Sequence, residues 1–176
     1  MSSLIMYNMK QKVEEQRNVD KMLSDYGTYH FNQANFIIQV IFLPLLIFSL
    51  MGLITATPFP YLAFLGKYNM FINWFSIVLA LAIYYYLKQS PLLSYIMLFT
   101  FGALYFFIVQ LEYVEQAGGI KLWEISLLIF VVSLLFLLLG NQNEEHKLPL
   151  SQFWKKIIIG PIWLWSLVLK RFNLKY

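Results

Sequence analysis

Leu122–Gly140 reads LWEISLLIFVVSLLFLLLG, nineteen residues with one charged side chain, Glu124. That length is close to the ~20 residues a helix needs to cross a hydrocarbon layer ~30 Å thick. Lipid offers no partner to a backbone N–H or C=O, and a helix satisfies both within its own segment. Working outward, Phe36–Ala56, Met70–Leu87 and Leu92–Leu111 read the same way. Pro44 and Gly52 fall inside the first of these, which a membrane helix tolerates better than a soluble one. Trp74, the Tyr84-Tyr85-Tyr86 cluster, Trp123 and Trp154 stand near run ends, where amphipathic rings settle at head-group depth.

The rest of the chain agrees. Of its 176 residues 60% are hydrophobic and 12% charged, against roughly 45–50% and ~25% in soluble domains. Too little polar surface remains to coat a water-soluble globule, which excludes a soluble enzyme and a disordered linker. The formal charge of +4 does not point to nucleic acid, because the bases cluster beside apolar runs. There such charges set orientation and meet anionic lipid head groups. The absence of cysteine excludes disulfides, thiolate metal sites and cysteine nucleophiles.

Before the first run, Val19, Met22, Leu23 and Tyr26 recur at helical spacing and Gly27 suits a helix stop. This predicts an amphipathic helix over residues 9–26, lying along the membrane interface. After the fourth run, Ile157–Leu169 has thirteen residues interrupted by Gly160-Pro161, short for a span. With four spans, eleven bases share a side with both termini and only Lys67 and Lys121 lie opposite; a fifth crossing would make the split 8 to 5. Positive charge favours the cytosolic or matrix face, so the fifth run is expected to be a short interfacial or re-entrant helix. The expected fold is an all-α integral membrane protein with four transmembrane helices. It divides into a polar segment 1–35, a transmembrane domain 36–140 and a polar loop with the interfacial helix over 141–176. No internal repeat and no heptad pattern is apparent.

Candidate chemistry is sparse. His30 precedes the first span and His146 follows the fourth, on one membrane face, with Glu144 and Glu145 beside the latter. Two readings stand: polar residues at an interface and in a solvated loop, or part of a metal site, which usually takes three protein ligands. Glu112, Glu115 and Glu124 fall on the opposite side. Glu112 reads either as an embedded proton-path carboxylate or as an interfacial group paired with Lys121. No phosphate loop, nucleophile elbow or di-metal glutamate pattern occurs.

Two motifs carry a family resemblance. His30, Asn35, Gln39 and Pro44 follow one another at intervals of five, four and five residues, with Ser49 beyond. Gly140-Asn141, Glu145, Pro149 and Gly160-Pro161 follow the fourth span. Both resemble the fungal-type 2-hydroxy fatty acid dioxygenases, a family of small multi-span membrane proteins, over roughly residues 20–170. In that pattern histidines stand where this chain has Gln39 and Asn141. The resemblance implies iron(II) held by histidines, removal of one carbon from 2-hydroxy fatty acids, and residence in the endoplasmic reticulum. Carried over, it makes His30, Gln39, Asn141 and Glu145 former metal-site positions, and Asn35, Pro44, Gly140, Pro149, Gly160 and Pro161 structural ones. An amide offers a weak, neutral oxygen in place of an imidazole nitrogen.

The expectation is therefore a non-catalytic descendant without a cofactor, an accessory subunit of a larger membrane complex. Its partners would be other membrane subunits and phospholipids, with no nucleic acid, in a respiratory assembly of the mitochondrial inner membrane. The alternative is a working Fe2+ dioxygenase of fatty acid α-oxidation in the endoplasmic reticulum. A small transporter or channel would need buried charges that the runs lack.

Overall fold

The computed structural model describes residues 18–27, 32–64, 66, 72–144 and 150–174, and these are helical with short connections. The helices are α1 (Asn18–Gly27), α2 (Gln33–Ala56), α3 (Trp74–Gln89), α4 (Pro91–Gln116), α5 (Leu122–Gln142) and α6 (Leu150–Arg171). Three of them, α2, α4 and α5, are long and apolar enough to cross a membrane. Of the expected fourth span, Met70–Leu87, the first two residues lie outside the described ones and the helix begins at Trp74, where Asn73 and Ser76 form a reciprocal capping box. At 16 residues α3 is about 24 Å long, short of the ~30 Å layer. Length and composition thus carry three spans among the described residues.

The tightest pairing is α2 with α5, which run antiparallel. Gly52 lies against Ser126 near one end and Gly140 against Asn35 near the other, each so close that a Cβ on the glycine would overlap its neighbour. Along α5 the buried face is Leu122, Ser126, Ser133, Leu137 and Gly140. Those steps of four, seven, four and three keep the residues on one helix face. Apolar tails solvate leucine as well as a neighbouring helix does, so membrane helices gain most where backbones approach closely. Phe42 and Phe136 stack across the same pair at 4.2 Å.

The second pair, α3 and α4, turns on a single residue. Ser90 N–H donates to Tyr86 O at 2.9 Å, ending α3. Its Oγ accepts from Leu93 N at 3.4 Å, opening α4 with Pro91 in the first turn. Proline suits that position because its missing N–H would have had no helical partner.

The largest departure from expectation concerns the ends. In place of the short helix expected over Ile157–Leu169, α6 runs 22 residues through Gly160-Pro161. Phe153, Ile157, Ile162, Trp163 and Leu169 are buried on it. Phe153 and Ile157 pack with Leu43, Leu46 and Leu137 of the α2–α5 pair. Pro161 deprives the Ile157 carbonyl of its helical donor. The adjacent Ile158 carbonyl takes a hydrogen bond from Tyr86 Oη at 2.8 Å, so a neighbouring helix braces the proline turn. The short-helix expectation fails because it weighed charge and proline and could not see the packing.

Helix α1 begins at Asn18; the earlier residues of the expected 9–26 helix lie outside the described ones. Its apolar face is spent on protein. Val19, Leu23 and Tyr26 are buried in one cluster with Ile162, Trp163 and Leu169 of α6, while Lys21, Ser24 and Asp25 face outward.

Candidate functional site

The polar residues of both motifs gather where α2 begins and α5 ends. Asn32 is the N-cap of α2, its side-chain oxygen accepting from Ala34 N at 2.9 Å. In an ordinary capping box the residue three positions on reaches back to the N-cap N–H. That residue is Asn35, and it is fully buried. It does not reach back. The Asn32 N–H instead points at Glu144, just past α5, at 3.2 and 3.3 Å from the two carboxylate oxygens. Asn35 Nδ2 donates to Glu144 Oε1 at 2.6 Å, and Asn32 Nδ2 meets Asn143 O at 3.4 Å. The capping carboxylate has come from the other end of the chain.

Glu144 is buried to 5% exposure. Burying a carboxylate is costly unless donors replace its water, and here two N–H groups and the positive end of α2 do so. Gly140 makes the arrangement possible, since any side chain there would strike Asn35 Oδ1. Asn141, the next residue, is buried as well.

One turn along α2, on the same face as Asn35, lies Gln39. Its Oε1 accepts from Tyr26 Oη at 3.2 Å, a bond buried between α1 and α2. The Tyr26 ring lies 5.0 Å from that of Trp163 on α6. Burial pushes the Tyr26 phenol well above its ordinary value, so it stays protonated and keeps donating. Gly160 admits this contact: a Cβ there would overlap Leu43 and come within 2.8 Å of Tyr26 Oη. Pro44 and Pro161 face each other across an apolar cavity of about 230 Å³ between α2, α4 and α6.

The motif positions thus fall into two joined clusters, Asn35–Gly140–Glu144 and Gln39–Tyr26–Gly160, both on α2. His30, Glu145, Pro149 and also His146 lie outside the described residues. Sequence reasoning passed over Asn32 and Trp163, took Tyr26 only as part of an apolar helix face, and matched Glu145 to the motif while Glu144 carries the contact. Asn32 could have been found, standing as it does directly before a long apolar run. Nothing in the sequence ties it to Glu144.

Iron(II) held by imidazoles would need donor atoms free to turn to a metal. Among the described residues the donors are amides and one carboxylate. Gln39 Oε1 is engaged by Tyr26, and both Glu144 oxygens are engaged at the head of α2. That set of described residues does not fit iron; His30, Glu145 and His146 stand outside it. Its hydrogen bonds fasten α1, α2 and the end of α5 together. No family model, curated protein or solved structure matches the chain.

Proposed function

We propose that the chain is a non-catalytic accessory subunit of a larger membrane assembly, descended from the dioxygenase fold that its motifs resemble. The single observation behind this is the use of position 39. Where the resembling family keeps a histidine, an amide joins two helices. Asn35 likewise serves helix-to-helix bonding through Glu144. Residues kept in register while their chemistry turns to packing suit a scaffold that outlived its reaction.

The outer face of α4 supplies a surface for partners. Tyr95, Phe99, Phe106 and Phe107 are more than half exposed around Gly102, which has open space where a side chain would sit. If α3 is counted as a shorter fourth crossing, both termini share a side and the bases divide 11 to 2. The setting we propose is a respiratory assembly of the mitochondrial inner membrane, whose basic-facing side is the matrix.

Mild detergent extraction followed by mass spectrometry of what co-purifies tests this reading. A stoichiometric set of respiratory subunits is expected. A lone chain carrying near-equimolar iron, and shortening 2-hydroxypalmitate under reducing aerobic conditions, would overturn it in favour of the dioxygenase.

A further inference from the structure

We propose that a groove between α2, α3 and α6 seats one acyl chain of an anionic phospholipid, with its phosphate at the Tyr85–Lys88 end. The groove is an apolar cavity of about 670 Å³, walled by Met51 and Ile54 of α2, Val78 and Ala82 of α3 and Ile159 of α6. Sites for small ligands usually measure ~300–1,000 Å³. Along α3 the lining runs from Phe75 to Tyr86. Eleven helical steps make about 16 Å, close to one leaflet of a hydrocarbon layer ~30 Å thick.

Charge distinguishes the two ends. At one end Tyr85 lines the groove and Lys88 follows within a turn, its Nζ held 4.6 Å over the Tyr84 ring. No acidic residue lines it. Such a layout, basic at head-group depth and apolar below, selects an anionic head group over a zwitterionic one. The proposal stands apart from the accessory-subunit reading, because its test uses the chain alone.

The purified full-length chain is reconstituted into nanodiscs with spin-labelled phosphatidylglycerol, phosphatidylcholine or stearate. Electron paramagnetic resonance then reads the motionally restricted fraction. Phosphatidylglycerol is expected to be restricted about fivefold more than phosphatidylcholine per effective basic contact. Ala82→Trp should remove that fraction at unchanged helical circular dichroism. Lys88→Glu, an exposed change outside the packing, should lower the preference severalfold. Equal restriction of all three labels would overturn the proposal, as would stearate exceeding the phospholipid, which would mark a free fatty acid as occupant. A disulfide between two Ala82→Cys chains would place a second copy there instead. If Ala82→Trp loses its helical signal, the Lys88→Glu ratio decides alone, and an unchanged ratio sinks the idea.

Discussion

The two antiparallel pairs, α2 with α5 and α3 with α4, reach similar geometry by opposite means. In α3–α4 the partners are neighbours in sequence. One serine caps both helices, Asn73 Nδ2 reaches Tyr105 Oη at 3.2 Å, and Phe75 stacks on Tyr105 at 4.7 Å. In α2–α5 the partners are about a hundred residues apart, and glycine and serine let the backbones close before a buried carboxylate fastens the end. Local pairing needs only turn chemistry. Distant pairing needs shape along the whole seam and a lock at its end.

Removing the lock should have the largest effect. Glu144→Ala leaves the buried Asn35 amide and the Asn32 N–H without their acceptor, a loss of about 3 kcal/mol. Reversible unfolding in mixed detergent would measure it; Glu144→Gln, which keeps an acceptor oxygen, should lose less. A loss under about 0.5 kcal/mol, the scatter of ordinary surface changes, would mean that the seam alone holds the pair.

Next comes the seam. Gly52→Leu drives a side chain into Ser126 and should cost about 2 kcal/mol by overpacking. Thiol cross-linking of Leu53→Cys with Ile125→Cys, before and after that change, would show whether α2 and α5 separate there. The paired control is Gly102→Ala on the open face of α4, which meets nothing. It should stabilise by up to about 1 kcal/mol through helix propensity, the smallest change in the series and of opposite sign.

Between these lies Tyr26→Phe, which removes the bond to Gln39 and should cost about 1 kcal/mol. The sign of its pH dependence follows from burial. Because the folded phenol holds its proton above the ordinary value of 10.0, stability is flat below that pH and falls as pH rises beyond it. Tyr26→Phe should flatten the alkaline fall relative to the parent chain. Identical alkaline limbs would show that Tyr26 ionises freely and is not buried.

These pairs also explain what the sequence could disclose. Apolar length alone marked α2, α4 and α5, while the turn at Ser90-Pro91 went unread although capping and proline act within a few residues. The α2–α5 seam stayed hidden because its contact residues, Ser126, Ser133, Gly140 and Gly52, are not hydrophobic; a search for apolar repeats looks past them. Helix α6 was underrated for a related reason. Lys155, Lys156 and Gly160-Pro161 argue against a long buried helix, and only the Tyr86 brace and the cover of α1 offset them. At the candidate site Gln39 and Asn35 were singled out only through the family resemblance. The contact of Glu144 with the head of α2 could not be read without knowing where α5 ends.

The lock has a consequence in time. Asn32 and Glu144 are separated by 112 positions, which a ribosome adding ~5–20 residues per second covers in roughly 6–22 s. Throughout that interval the first span already exists, yet its leading N–H waits for an acceptor not yet synthesised. The nascent protein therefore spends its insertion with that helix head turned to water or lipid phosphate, and closure of the clasp belongs among the last events of its birth.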